Sequence, residues 1–464
     1  MRSKRAALLL LCGIVLPCVW VSCFENYAVV DVGVFRDWAV CLQEYGREIY
    51  LDCPLRPNYP TVGILLTAGV FRIFQDGLGI ADANVADQGF RYFLAAFESL
   101  NFLLLIALFH LSQFRWPIAT ALGLTLLPST WAGAAVWGQI DHLSLAFLLM
   151  ALVLLLRYWR AIDAAGPGPF RQQWLYCVLI PMSITLYILN KQIALFSFPF
   201  LFLLLGITGY KLQIGRSRAG LLQFCTLLLI FVVSFRGLDT VFALEPSYLG
   251  SSFIGVWAQG SGHGNIISGD GANLWVLLER DLQSTSHFPL FHLGTVEVKP
   301  YTLGIIAYAL VLMFLFQSVF KAVRDRSQVT QVQPASDAVE LLYFACLFHG
   351  ISWLGFNLLL TGSHDRHPYL AYVFLLLAIA YYGLNQRRWP ITVILFSGFV
   401  ATAYGLFILS TKSALHPLLF PFRQNTFIAT LQLLWWLMLL GQWLRLCGQG
   451  RWQRWRLEHF GAQK

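Results

Sequence analysis

Residues able to do chemistry come in four short clusters along this chain. DVGVFRDW, at 31–38, sets Asp31 and Asp37 around Arg36 and ends on Trp38. WGQIDH, at 137–142, gathers Trp137, Gln139, Asp141 and His142, and NKQ, at 190–192, contributes Lys191. HDRH, at 364–367, holds His364, Asp365, Arg366 and His367 in a connector closed by Pro368. Two histidines and an arginine suit a phosphate, which arginine grips with two parallel donors. A metal is the weaker reading of that connector, because HxxH alone lacks a third ligand.

Each cluster also has a purely structural reading. On a helix, Asp31, Phe35 and Trp38 share one face, so 31–38 reads equally as a solvated helix at a membrane surface with Trp38 as its anchor. WGQIDH reads as a turn in which Asp141 caps the next helix, where the dipole favours a carboxylate. Lys191 reads as a lysine whose stem lies along apolar surface while its charge reaches water. Glu98 sits inside an apolar block, and a carboxyl at membrane depth must face a cavity or a partner. GANLW, at 271–275, brings Trp275 into a Gly-rich loop that either lids a pocket or is ordinary surface.

The elements that would carry these clusters follow from hydropathy. Of 464 residues, 58% are hydrophobic and 12% charged, and mean hydropathy is +0.64. A soluble chain of this length carries about twice that charge. Apolar blocks at 7–24, 92–111, 117–136, 141–158, 174–190, 193–209, 219–243, 301–320, 339–361, 368–384, 390–410 and 424–443 each approach the length of a bilayer crossing. The expected fold is therefore all-α: a polytopic integral membrane protein of about twelve transmembrane helices. The block 61–74 is shorter and reads as a helix lying at the interface.

Charge supports leaving 61–74 out of the count. With the N-terminus in the cytoplasm, 20 of the 32 Lys and Arg but only 5 of the 23 Asp and Glu fall on the cytoplasmic side, as the positive-inside rule requires. Both termini are then cytoplasmic, and 444–464 is a basic cytoplasmic tail. All four clusters lie on the opposite face, in or beside a long first loop (25–90), a second large loop (244–300) and short connectors. The net charge of +9 reports this orientation and contact with anionic membrane lipid, and no nucleic-acid partner is expected. No linker interrupts the pattern, so 1–464 is expected to form a single integral membrane domain. The N-terminal run ends in Trp20 rather than small residues and reads as an uncleaved first helix. Of nine cysteines, only Cys41 and Cys53 share a loop, and a disulfide there would suit an oxidising compartment.

The ordered set DxxxxRxW, NYP, WGQID, the Lys–Gln junction, NLW and HDRH resembles the GT-C superfamily of membrane glycosyltransferases over roughly residues 27–385. It is most similar to the mannosyltransferases related to the second mannosyltransferase of GPI-anchor synthesis, bacterial relatives included. More distantly it resembles dolichyl-phosphate-glucose glucosyltransferases. The resemblance implies a GT-C fold with interfacial helices in the long first loop. It places the catalytic base on Asp31, with Asp141 beside it, and the substrate-binding positions on Arg36, Trp38, Tyr59, Trp137, Gln139, His142 and Trp275. Donor phosphate would be met by Lys191, His364 and Arg366. This chain departs from the family at the Tyr-Pro turn, where Thr61 stands for a second proline and Asn58 for an acidic residue. Asp365 also replaces the more usual glutamate.

The function so implied is transfer of a hexose, mannose in the nearest relatives, from a polyprenyl- or dolichyl-phosphate donor. The acceptor would be a lipid-linked or surface glycan on the non-cytoplasmic face. No organic cofactor is implied; either Asp31 and Asp141 share a divalent metal ion, or Asp31 acts alone. Two other readings stand beside it: a transporter or lipid flippase, and a catalytically silent relative. The chain has no Asn-X-Ser/Thr sequon, which favours a bacterial plasma membrane over the endoplasmic reticulum.

Overall fold

The computed structural model describes residues 2–24, 30–135, 137–166, 170–242, 251–260, 268–269, 272–277, 289–293, 295–327, 334–361, 363–364, 367–412 and 425–448. The chain divides into two compact units, Met1–Gly262 with Tyr404–Arg423, and His263–Ala403 with Gln424–Lys464.

In the first unit, α1 (Arg2–Cys23) is followed by α2 (Val30–Tyr45), the single turn α3 (Ile49–Asp52) and α4 (Thr61–Arg72). Next come α5 (Ala83–Leu111), α6 (Pro117–Thr125), α7 (Pro128–Ala135), α8 (Asp141–Ala165) and α9 (Phe170–Asn190). A 3₁₀ segment, Gln192–Ser197, leads into α10 (Phe198–Lys211), and α11 (Arg218–Asp239) and α12 (Ser252–Gly260) close the series. Long helices pack in a row, α1 on α5, α5 on α8, α8 on α9 and α9 on α11. Outer flanks of this row stay apolar: Leu229, Val232 and Val233 on α11 are about 60% exposed. Such a surface suits lipid tails, which attract aliphatic side chains as well as a protein core does.

The second unit contains β1 (Ser268–Gly269), β2 (Phe291–Leu293), β3 (Val296–Val298), α13 (Pro300–Ser327), α14 (Pro334–Leu359), β4 (Ser363–His364) and α15 (Tyr369–Ile379). Helix α16 (Ile391–Lys412) belongs to this unit up to Ala403 and to the first unit from Tyr404, and α17 (Asn425–Gly448) belongs to the second. β1 pairs parallel with β4, Gly269 opposite His364, and β2 with β3 forms a three-residue antiparallel ladder. α14 lies at the middle, packed on α13, α15 and α17.

Ten helices among the described residues are long and apolar enough to cross a bilayer. The protein is an all-α, multi-pass membrane protein. Two of the twelve expected blocks fall short of that length. The block 117–136 divides into α6 and α7, because Pro128 lacks an N–H and biases Leu127 away from helical geometry. The block 368–384 forms the shorter apolar helix Tyr369–Asn385. The excluded block 61–74 is indeed helical but short, twelve residues of α4 followed by a π-turn at Ile73–Gly77.

Among its described residues the loop 25–90 is thus mostly helix, and its apolar side chains form one cluster with Leu94, Ile140, Leu143, Phe242 and Val256. Phe35, Trp38 and Tyr59 meet with ring centroids 5.4–5.6 Å apart, and a Cys41–Cys53 disulfide ties α2 to the segment after α3. α4 packs on α2, α9 and α11. It comes so close to the end of α9 that a Cβ on Gly63 would lie 2.2 Å from the Asn190 carbonyl oxygen.

Candidate functional site

Asp31 lies in the first turn of α2, where unpaired N–H groups and the helix dipole favour a carboxylate. Its Oδ2 accepts from Trp137 Nε1 at 2.5 Å and from Gln139 Nε2. Both donors sit in the turn between α7 and α8. That turn needs Gly138 at φ +70°, and it folds back through Trp137 N–H to Ala132 O (3.3 Å) and Gln139 N–H to Gly133 O (3.1 Å). Asp31 itself is half-buried, and its Oδ1 has no partner among the described residues. One oxygen is fixed by two N–H groups while the other stays open.

Gln139, fully buried, relays this carboxylate to a second charge pair. Its Oε1 accepts from Tyr59 OH and from Lys191 Nζ, each at 3.2 Å. An anion at one end and donors at the other dictate the same amide orientation. Lys191 follows the last residue of α9 in extended conformation, φ −151° and ψ 135°. Its ammonium lies 2.9 Å from both oxygens of Asp141, the first residue of α8, and 5.6 Å from the Tyr59 ring centroid. Asp141 Oδ1, Asp141 Oδ2 and Gln139 Oε1 match the three donors of an ammonium. Side chains of the pair are only 5% and 8% exposed. Lys191 therefore stands as the partner of Asp141 and Gln139.

Tyr59 is held from a second side, since Tyr50 OH donates to its carbonyl oxygen at 2.5 Å. Burial first, and then the charge of Asp239, push the Tyr50 hydroxyl well above the usual phenol range, so it remains a donor.

Other expected residues fall elsewhere. Arg36 pairs with Asp87 on α5 at 2.8 Å, both about one-quarter exposed, and also donates to the Ala83 carbonyl. Trp38 does share a face with Asp31, but it is buried in the apolar cluster with Nε1 on the Leu55 carbonyl. His142 points into the bundle, Nε2 2.6 Å from the Thr130 carbonyl. In the second unit, Trp275 is buried and donates to the Leu359 carbonyl at 2.7 Å. His364 is described only as backbone in β4, and Asp365 and Arg366 lie outside the described residues. Glu98, midway along α5, is 3% exposed, with Oε2 unpartnered among the described residues. Among those residues no group of three or more His, Cys, Asp or Glu could hold a metal ion.

The motifs omit two contributors, Ser252 and Asp239. Ser252 Oγ donates to Asp239 Oδ1 at 2.6 Å and meets Thr61 from α4. Their one sequence signal is a lone carboxylate at the end of an apolar helix.

As a constellation, a half-open carboxylate with a fixed rotamer faces a buried network that supplies hydrogen bonds but places no cation directly on it. Such a group can take a proton from a hydroxyl. No protein-family model matches the chain, and no curated protein does so at a significant level.

Proposed function

We propose that this protein is a membrane glycosyltransferase in which Asp31 deprotonates an acceptor hydroxyl. The hydroxyl oxygen attacks the anomeric carbon of a polyprenyl-phosphate-linked hexose as its proton passes to Asp31 Oδ1. The bond from that carbon to the phosphate oxygen breaks, and polyprenyl phosphate leaves as an anion. A phosphate leaving group has low basicity, so no acid is needed at the leaving oxygen, unlike the two-carboxyl chemistry of glycosidases. Direct displacement inverts the anomeric centre.

The supporting observation is the hydrogen bonding of Asp31. Trp137 and Gln139 occupy Oδ2, hold the rotamer, and leave Oδ1 as the acceptor that general-base catalysis requires. Lys191 and Asp141 position Gln139, so the carboxylate is oriented with no cation paired to it among the described residues. GT-C membership, mannose as the sugar, and placement of the reaction on the non-cytoplasmic face rest on the ordered motifs and the charge asymmetry of the sequence.

Purified protein reconstituted in sealed vesicles, incubated with polyprenyl phosphate carrying labelled mannose or labelled glucose, tests the reading. Label leaving the lipid for a glycan acceptor supports transfer. Label that stays on the lipid while the donor crosses a sealed bilayer would replace it with the flippase reading.

A further inference from the structure

Helix α4 begins at Thr61, directly after the Tyr59–Pro60 turn, and its N-cap residue is Pro60, which makes no side-chain cap. A helix start leaves N–H groups that need outside acceptors. Here the acceptor comes from 191 residues away: the Thr61 N–H and the Thr61 hydroxyl both donate to Ser252 Oγ, at 3.2 and 2.9 Å. Ser252 opens α12, and the start of α12 is capped in turn by Asp239, whose Oδ1 accepts from Ser252 Oγ at 2.6 Å and from Phe253 N–H at 2.9 Å. Bond directions follow from the donor inventory. An ionised Asp239 only accepts, so Ser252 spends its one proton there, and both its lone pairs are left for Thr61. Thr61 and Ser252 are fully buried and Asp239 is 1% exposed. The three residues therefore exclude water from a chain of caps that runs from the end of α11 to the start of α4.

We infer that Asp239, Ser252 and Thr61 are positioning residues: two caps in series that fix the Tyr59 turn and, through Tyr59 and Gln139, the orientation of the Asp31 carboxylate. This rests on the transferase reading of the preceding subsection. Tyr59 is two residues from Thr61 and places its hydroxyl on Gln139 Oε1. Tyr50 holds the same turn from the other side. Removing the Ser252 hydroxyl takes away the shared acceptor of the Thr61 N–H and hydroxyl and loosens one of the two anchors of Tyr59. Asp239 Oδ2 has no partner among the described residues, so in Asp239→Asn the amide oxygen keeps both bonds of Oδ1 while the NH2 group is left buried without an acceptor.

The test is a mutant cycle with two readouts. Ser252→Ala should lower kcat roughly tenfold or more, as small misplacements of a reacting group do, while donor KM stays close to wild type. In a Tyr59→Phe background the same substitution should add little. Thr61→Ser should keep turnover within about threefold of wild type, since its hydrogen bonds survive. Thr61→Val, which keeps the N–H and loses the hydroxyl, should fall between, and it serves if Ser252→Ala does not fold. Independently of activity, hydrogen exchange over 58–64 should quicken in Ser252→Ala and stay slow in Thr61→Ser. Loss of kcat that simply adds to that of Tyr59→Phe, or unchanged exchange over 58–64 in Ser252→Ala, would overturn the positioning role. Wild-type protein that transfers no sugar would sink the transferase reading alone, and the exchange measurement would still judge the two caps.

Discussion

Replacing Asp31 by Asn changes one atom at the centre of the site, and the structure dictates which. Trp137 Nε1 and Gln139 Nε2 both donate to the Oδ2 position, so the amide oxygen must settle there and the NH2 group must occupy the place of Oδ1. The variant keeps both hydrogen bonds and presents a donor where an incoming hydroxyl needs an acceptor. Fold and donor binding should survive while proton transfer fails. A positioned general base contributes about 10²–10⁴ in rate, so the barrier should rise by about 2.7–5.4 kcal/mol. Asp31→Ala is the contrasting variant. It leaves two donors without an acceptor and should also lose about 1–3 kcal/mol of stability. The assay is steady-state transfer of labelled hexose, with kcat and donor KM measured beside thermal stability in the same vesicles. Turnover by Asp31→Asn within about tenfold of wild type, less than such a base supplies, would refute the assignment of the proton to this residue. Equal stability of Asn and Ala variants would refute the bonding geometry behind it.

Three further outcomes are expected. Lys191→Met leaves Asp141 buried without its cation and should destabilise the protein by about 3–5 kcal/mol, with much of the loss recovered in Lys191→Met/Asp141→Leu; denaturant titration checks both, and a loss below about 1 kcal/mol, typical of exposed pairs, would contradict the buried pairing. Gly63→Ala drives a methyl group to 2.2 Å from the Asn190 carbonyl oxygen, so α4 must shift, at a cost of about 1–3 kcal/mol. Both the melting temperature and kcat should drop, and wild-type values for both would show that the two helices do not meet this closely. Arg366→Ala, on the sequence resemblance, should raise donor KM roughly tenfold, the worth of one charge-assisted hydrogen bond, and leave acceptor KM nearly unchanged; equal effects on the two would remove it from the donor phosphate.

Membrane class and the short helical character of 61–74 were both legible in the sequence, because each depends on local composition. Apolar length alone says whether a helix can cross a bilayer, and a carboxylate, a lysine or a glutamine stands out where everything around it is aliphatic. Local composition does not say where a helix breaks. Block 117–136 reads as continuous by hydropathy, yet Pro128 splits it.

Spacing also could not tell which members of a cluster point together. Asp31 and Trp38 do share a helix face, but that face serves two purposes, a carboxylate turned to Gln139 and an indole sunk in the core against Leu55. Arg36, two residues from Trp38, turns to Asp87 because α5 passes beside α2.

Residue types and their order along the chain thus settled what the protein is made of: apolar helices and a handful of polar residues too costly to leave unpaired in or near lipid. Pairing itself was a tertiary decision. Gln139 links Asp31 to Lys191 only because residues more than fifty positions apart converge, and Thr61 finds its cap in Ser252 for the same reason. Hydrogen bonds act over about 3 Å, whereas sequence patterns report only the periodicity of neighbours.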